Sequence, residues 1–197
     1  MTEPAAESIE ISGDISSTED SRLIDHTTRR RLAFMLLTLF LISLSSQVDR
    51  MLPFILAEAI KADLSLSDTQ IGLLTGPAFA LCYTLLSLPL AQAADQGSPR
   101  FVIVLCTLMW SAMTALGGIA AGFPFLAFTR LGVAIGEAGA TPSAHAIIAR
   151  KVRPPRRGRA IGLFALGIPL GTMVGFAAGG AISDTLGWRV ALLGAGA

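Results

Sequence analysis

The chain has 197 residues, of which 52% are hydrophobic and 15% are charged, and its formal net charge is +1. Soluble domains carry about 25% charged residues, so this composition excludes an ordinary water-soluble globular protein. The high apolar content excludes a disordered chain, and the presence of two cysteines excludes a disulfide scaffold. The composition indicates a membrane protein with apolar spans of about 20 residues each.

The first 31 residues differ from the rest of the chain. They are rich in Ser, Thr and acidic residues and contain almost nothing large to bury, which predicts a disordered cytoplasmic tail over residues 1–31. A secretory signal begins with a basic region and a short apolar run, whereas here acidic residues precede a full-length apolar run. We therefore expect an uncleaved first span and a transmembrane helical domain over residues 32–197.

Stretches without charged residues locate the spans, because charges retreat to the ends of helices that cross a bilayer. The longest such stretch contains a turn signal at residues 121–124, which divides it into two spans. The predicted spans are residues 32–60, 70–93, 101–121, 125–149 and 160–182, followed by an incomplete one at 188–197. The sequence therefore predicts an all-α membrane bundle with five complete spans and a truncated sixth.

Basic residues in the short connections predict the orientation of the bundle. One face collects residues 29–31, Arg100 and six basic residues within 150–159, whereas the other face has only Lys61 and Arg189. By the positive-inside rule the N-terminus is cytoplasmic, and we expect a multi-pass protein of the cell (inner) membrane. Binding of nucleic acid or of anionic lipid headgroups is the alternative interpretation of the six-residue cluster. Such an excess is common in cytoplasmic loops, so we expect no nucleic-acid partner.

Four ionisable residues qualify as candidates because they lie well inside predicted spans, where a charge is costly and indicates function by default. They are Asp49, Arg50, Arg130 and Glu137. The helix rise places Asp49 and Arg130 at overlapping depths, so Asp49 or Arg50 can meet Arg130 across a helix interface, with Glu137 near the bilayer centre. A structural ion-pair network is the alternative. Protonation of either acid leaves the cluster net positive, which fits a proton-coupled switch for an anionic headgroup.

Glycines at four-residue spacing predict close approach between helices. The predicted packing glycines are Gly132 and Gly136 on the fourth span and Gly167, Gly171, Gly175 and Gly179 on the fifth. We expect Pro169 to bend the fifth span.

Motifs of catalysis and metal binding are absent from the sequence. It contains no Gly-x-Ser-x-Gly elbow, no His-Glu-x-x-His and no Cys-x-x-Cys. We therefore expect a protein that is not an enzyme and that has no cofactor or metal.

Two segments carry a family resemblance. Residues 130–138 resemble the fourth-helix signature of the major facilitator superfamily, Arg-x-x-x-Gly-x-Gly-Glu-Ala, apart from its middle glycine, and residues 187–189 (Gly-Trp-Arg) resemble the start of the sixth helix in that superfamily. Residues 48–50 (Val-Asp-Arg) and the pattern within 60–73 resemble the spinster branch. The resemblance covers about residues 31–197 and implies the N-terminal half of a twelve-helix bundle, with the substrate between two similar halves.

This resemblance implies a proton-coupled secondary transporter in which Asp49, Arg50, Arg130 and Glu137 are the substrate and proton-coupling residues. Spinster proteins are associated with export of sphingosine phosphate and lysophospholipids, so the implied substrate is an amphiphilic anion such as a lysolipid. Asp95 and Arg100 match the gating loop after the second helix of the superfamily.

Two alternatives remain open at this point. The substrate of such a transporter can instead be a small organic-acid metabolite. A third interpretation is a truncated half without transport activity of its own, because alternating access needs a face on each side of the site. The expected partners are the lipid bilayer, the substrate, and either a second six-helix half that is missing from this chain or a partner copy.

Overall fold

The computed structural model describes residues 29–197, apart from the side chain of residue 184. The predicted tail of residues 1–31 lies almost wholly outside the described residues. The helices are α1 (Ala5–Ile55), α2 (Ala57–Leu64), α3 (Asp68–Thr75), α4 (Pro77–Gln96), α5 (Pro99–Gly117), α6 (Phe123–Lys151), α7 (Pro154–Ala165), α8 (Gly167–Leu186) and α9 (Trp188–Ala195). The predicted all-α fold is confirmed over the described residues.

The chain divides into two units, residues 1–38 and residues 39–197. In the described part of the first unit, the Thr38 hydroxyl donates a hydrogen bond to the Phe34 carbonyl at 2.9 Å, one helical turn earlier. The second unit holds the remainder of α1 and all the other helices. All contacts of the candidate site described below lie within this second unit.

Four helical segments of the described chain are long and apolar enough to cross a membrane. They are Arg29–Ile55, Asp68–Gln96, Pro99–Gly117 and Pro154–Ser183. Helix α6 has 29 residues, enough to span a bilayer, but Arg130 and Glu137 in its middle make it less apolar than these four. Its neighbours are α4 and α5, and its residues around Val133, Ala134 and Ala138 are fully buried.

Two predicted spans are each divided into two helices in the structure, and two others end early, the third at Gly117 rather than at residue 121. The first ends at Ile55 rather than at residue 60, and the short helix α2 follows it. The second is divided at Gly76, where Pro77 begins α4. The fifth is divided between Ala165 and Gly167, because the ring of Pro169 clashes with the carbonyl four residues earlier.

Glycines set the closest helix contacts. On α8, a Cβ at Gly171 would lie 2.5 Å from the Leu44 carbonyl oxygen of α1. On α6, a Cβ at Gly136 would lie 2.8 Å from the Cys106 carbonyl oxygen of α5, and one at Gly132 would lie 2.6 Å from Met113 Cγ. Real Cβ atoms do not come this close, and at Gly171 and Gly136 the near atom is backbone, so these two positions require glycine for the observed helix separation. At Gly132 the near atoms belong to the flexible side chain of Met113, which can move.

Arg189 ties together three connections at one end of the bundle. Its guanidinium donates to the carbonyl oxygens of Gly118 (3.3 Å) and Ala120 (2.7 Å), and it donates to the Asp63 carboxylate at 2.8 Å. The guanidinium also lies 4.3 Å from the centre of the Trp188 ring. The turn between α5 and α6, the last turn of α2 and the start of α9 are therefore held by one side chain.

A second ion pair lies at the same end. Lys61 donates to the Asp68 carboxylate, which raises the pKa of Lys61. A lysine is charged at neutral pH without any shift, and the contribution of this pair to stability falls as the pH rises through the raised pKa of Lys61.

Candidate functional site

An ion pair between α1 and α6 lies at the centre of the candidate site. Arg50 Nη2 donates to Glu137 Oε2 at 2.6 Å, and Arg50 Nε donates to the same oxygen at 3.1 Å. The Glu137 side chain has no exposed surface, whereas the Arg50 side chain is 34% exposed. Glu137 Oε1 is buried without a hydrogen-bond partner. The pair therefore joins one shielded carboxylate to a cation that remains accessible.

Asp49, the residue before Arg50, makes a different contact. It is 2% exposed, and its Oδ2 accepts a hydrogen bond of 2.9 Å from the hydroxyl of Thr114 on α5. The other oxygen, Oδ1, is buried without a partner. Adjacent residues on a helix point about 100° apart, so α1 directs one charge towards α6 and the other towards α5.

Arg130 is placed differently from our expectation that it would meet Asp49 or Arg50. It is 7% exposed, its Nε has no hydrogen-bond partner, and within the described residues it forms no ion pair. Its guanidinium carbon lies 5.3 Å from the centre of the Phe79 ring of α4, and that of Arg50 lies 5.5 Å from the same centre. The electron-rich ring thus contacts both cations, and the carboxylate that pairs with Arg50 belongs to Glu137.

A second aromatic residue of α4 completes this arrangement. Tyr83, the single tyrosine of the chain, stacks on Phe79 with ring centres 6.3 Å apart, and its own ring centre lies 4.8 Å from the Arg50 guanidinium carbon. Arg50 is therefore held by a carboxylate and two aromatic rings. These contacts fix its position while leaving part of its surface accessible to a further anionic group.

A cavity of about 230 Å³ opens beside Arg50, between α1, α4, α6 and the α7–α8 segment. Ser43, Ser46 and Gln47 of α1 form a polar wall. Phe164 and Ile168 contribute apolar surface opposite. The cavity can therefore hold a molecule that carries both a charged group and an apolar part.

Three residues of this site were not predicted from the sequence, although two of them are unusual within it. Thr114 and Tyr83 are polar residues inside apolar spans, which marks them as unusual. Phe79 looks like any apolar residue of a span, and only the fold brings it to two guanidinium groups.

The predicted gating residues lie on either side of the α4–α5 turn, away from the buried charges. Asp95 and Arg100 are both exposed, and neither forms an ion pair with another described residue. The Asp95 carbonyl oxygen, but not its carboxylate, accepts a hydrogen bond of 2.6 Å from Arg150.

The predicted packing glycines flank the site on two sides. Gly132 and Gly136 hold α6 against α5, and Gly167, Gly171, Gly175 and Gly179 hold α8 against residues 43–55 of α1. No group of three or more His, Cys, Asp or Glu side chains within the described residues is arranged to hold a metal ion.

Comparison with known proteins places these features in a family. The profile of the Major Facilitator Superfamily matches residues 35–197. The chain is 43% identical over 177 residues to an MFS-type efflux pump of Mycolicibacterium smegmatis, and it is 30% identical over 180 residues to a probable L-galactonate transporter of Escherichia coli. A crystal structure of a bacterial homologue of the human lysosomal transporter Spinster, inward-facing and occupied, superposes with a TM-score of 0.79 at 38% identity.

These matches cover most of this chain but less than half of each relative. The match to the efflux pump covers 88% of this chain and 41% of the pump. The match to the L-galactonate transporter covers 90% of this chain and 39% of that transporter, and the match to the Spinster homologue covers 84% of this chain and 41% of that homologue. The chain therefore spans about two fifths of the length of these relatives, and its fold corresponds to their N-terminal part. The family match, the all-helical fold and the apolar spans lead to one conclusion: the chain belongs to the Major Facilitator Superfamily, a family of membrane transporters, and resembles its spinster branch.

Proposed function

We propose that this chain supplies the N-terminal half of a proton-coupled secondary transporter for an amphiphilic anion, such as a lysophospholipid or a sphingosine-phosphate-like lipid. The observation that carries the proposal is the buried Arg50–Glu137 pair beside a cavity with polar and apolar walls. Ion pairs inside membrane spans are costly and mark substrate or proton pathways by default.

The pair supports a simple coupling scheme. When Glu137 is charged, it neutralises Arg50. When Glu137 takes up a proton, Arg50 loses its counter-ion, while the aromatic rings of Phe79 and Tyr83 keep the guanidinium in place. The unpaired guanidinium then favours an anionic headgroup in the adjoining cavity. Proton uptake and anion binding are linked because both act on the same cation.

Asp49 and Arg130 complete the set of coupling residues in this proposal. Each has a buried polar atom without a hydrogen-bond partner, Asp49 Oδ1 and Arg130 Nε. Such atoms are costly in a fixed structure, which supports a site whose partners change between states. Asp95 and Arg100 would act as gating residues in the α4–α5 loop, whose conformation would change as the two halves rock around the substrate.

The proposed orientation has the N-terminus in the cytoplasm of a cell with the protein in its inner membrane. The basic residues within 150–159, at the end of α6 and the start of α7, support it by the positive-inside rule. The second face of the transport site would come from another six-helix half or from a partner copy.

A small organic acid is the second candidate substrate, and the identity with the L-galactonate transporter favours it. The two substrate classes can be separated in proteoliposomes that contain the protein encoded by the complete reading frame that includes residues 1–197. Uptake of a labelled lysophospholipid should be inhibited by unlabelled lysophospholipid and not by an equal concentration of galactonate. Inhibition by galactonate alone would favour the organic acid. An Arg50→Gln variant is expected to abolish uptake of either, whereas Arg153→Gln, an exposed change in the basic segment, should leave it intact.

The alternative of a half that does not transport by itself has its own test. Native mass measurement and crosslinking of the purified 197-residue chain should reveal at least a dimer if this chain forms a working assembly. A monomer without uptake activity would assign transport only to an assembly with a complementing half.

A further inference from the structure

A cleft of about 340 Å³ lies at the end of the bundle opposite Arg189. It is formed by the α4–α5 turn and the last turns of α6, and it is lined by Gly97, Ser98, Pro99, Arg100, Ile147, Arg150 and Lys151. Its lining includes three cationic side chains and no acidic one. We refer to it as the basic cleft. It is separate from the cavity beside Arg50, with which it shares no lining residue.

Arg150 is fixed in this cleft by the backbone of the neighbouring helix end. Its guanidinium donates to the carbonyl oxygens of Gly97 at 3.1 Å, Ala94 at 3.2 Å and Asp95 at 2.6 Å. These acceptors are the exposed carbonyls that end α4, and a cation is favourable there. These contacts hold the charge of Arg150 at a fixed place.

The other two cations of the basic cleft have no counter-ion among the described residues. Arg100 and Lys151 are exposed, and neither forms an ion pair with any described residue. In the first turn of α5, the Ser98 hydroxyl accepts from Phe101 N–H, whereas the Arg100 N–H has no acceptor within its own helix. Three positive side chains and a helix N-terminus therefore face one cleft, which is a suitable setting for a phosphate group.

The surroundings of the basic cleft indicate that this phosphate belongs to a lipid. Helix α4 ends at Gln96, α5 begins at Pro99 and α6 ends at Lys151, so the cleft lies where helices leave the apolar part of a bilayer. Directly beside it, α5 exposes a continuous apolar face with Phe101 at 69% exposure, and further along Leu105 and Leu108. A free anion would make no use of this apolar face, whereas the acyl chains of a phospholipid would cover it.

We propose that the basic cleft binds the phosphate headgroup of an anionic phospholipid, with the acyl chains along the exposed face of α5. The proposal concerns the lipid environment of the protein and does not depend on the transported substrate or on proton coupling.

The test uses the purified 197-residue chain in detergent, titrated with phosphatidylglycerol and followed by native mass measurement. The informative variant is Arg100→Gln/Lys151→Gln, which leaves the structural contacts of Arg150 intact. The matched control is Arg153→Gln/Arg156→Gln, which removes the same charge from exposed residues of the same basic segment outside the cleft. A hydrogen bond to a charged group contributes about 1.5 kcal/mol, so loss of two such bonds to the headgroup phosphate should weaken phosphatidylglycerol binding by the cleft variant roughly 150-fold. The control should bind like the wild type.

Several results would overturn the proposal. Equal loss in both variants would assign binding to the general basic surface, and equal binding of phosphatidylcholine would remove the role of net charge. Displacement of phosphatidylglycerol by equimolar inorganic phosphate would indicate a site for the free anion. Unchanged binding in the cleft variant would place the lipid elsewhere. Thermal unfolding of both variants verifies that they fold alike.

Discussion

Arg50 on α1 and Glu137 on α6 are 87 residues apart in the chain, yet their side chains form an ion pair of 2.6 Å. Helix α1 also packs on α8 through glycines that allow backbone contact near residue 44. A change in the protonation of Glu137 therefore acts on α1, which is also in tight contact with α8. This arrangement allows a local change of charge to alter helix packing.

The shared ring of Phe79 should stabilise the site beyond its apolar burial. Phe79→Leu removes the contacts with both Arg50 and Arg130. A contact between a cation and an aromatic ring contributes about 1 kcal/mol where the cation is partly exposed. We expect an extra loss of about 2 kcal/mol in the free energy of unfolding, measured by denaturant titration in detergent micelles.

Phe164→Leu is the matched control for this change. Phe164 is 7% exposed and Phe79 is 8% exposed, so both substitutions remove a buried ring. Phe164 contacts the edge of His145 rather than a guanidinium. Equal destabilisation by the two substitutions would show that the contacts with Arg50 and Arg130 add nothing.

The hydroxyl of Thr114 should influence the proton dependence of transport. It donates to Asp49 Oδ2 at 2.9 Å, and a donor favours the charged form of a carboxyl group. In Thr114→Val the buried carboxylate of Asp49 loses this donor, so the pH profile of uptake should move away from the wild-type profile.

Thr114→Ser keeps the donor and should retain the wild-type pH profile. Assays of both variants in proteoliposomes over a range of pH distinguish this role from a purely structural one. A lower rate with an unmoved profile in Thr114→Val would mean that Thr114 only packs.

Gly171 should be essential for the contact between α8 and α1. In Gly171→Ala the new Cβ would lie 2.5 Å from the Leu44 carbonyl oxygen and 2.8 Å from Gln47 Cβ, so the helices must separate. We expect a loss of about 2 kcal/mol in the free energy of unfolding, as for other overpacked positions.

Gly180 lies on the same helix, and a Cβ there would meet nothing within 4 Å. Gly180→Ala should therefore be neutral or stabilise by up to about 1 kcal/mol, because alanine favours the helix. Similar thermal unfolding of the two variants would contradict the role of Gly171.

The sequence was sufficient for the all-α class, because uncharged stretches and their lengths depend on the bilayer alone. It also led to Asp49, Arg50, Arg130 and Glu137 as unusual residues, since each is a charge within an apolar run. The sequence did not specify which residues these four charged side chains contact. The rotation of α1 against α6 is set by side-chain packing over the whole interface, and this rotation selects Glu137 for Arg50.

The breaks in the spans were also only partly predictable. Pro169 marks the place of the α7–α8 break and Pro77 that of the break at Gly76, because a proline ring clashes with the carbonyl four residues earlier. Pro53 and Pro89, however, lie inside unbroken helices, so a proline alone does not predict a break. The role of Phe79 follows from the approach of three helices, and no local pattern encodes it.

Proton coupling through Glu137 is tested most directly by comparing substrate transport by the wild type and by Glu137→Gln. The assay uses proteoliposomes that contain the protein encoded by the complete reading frame. Glutamine resembles the protonated side chain and cannot exchange a proton. Substrate exchange at equal pH on both sides should persist in Glu137→Gln, while accumulation driven by a pH gradient should fall at least tenfold. Accumulation at the wild-type level in Glu137→Gln would contradict the assignment.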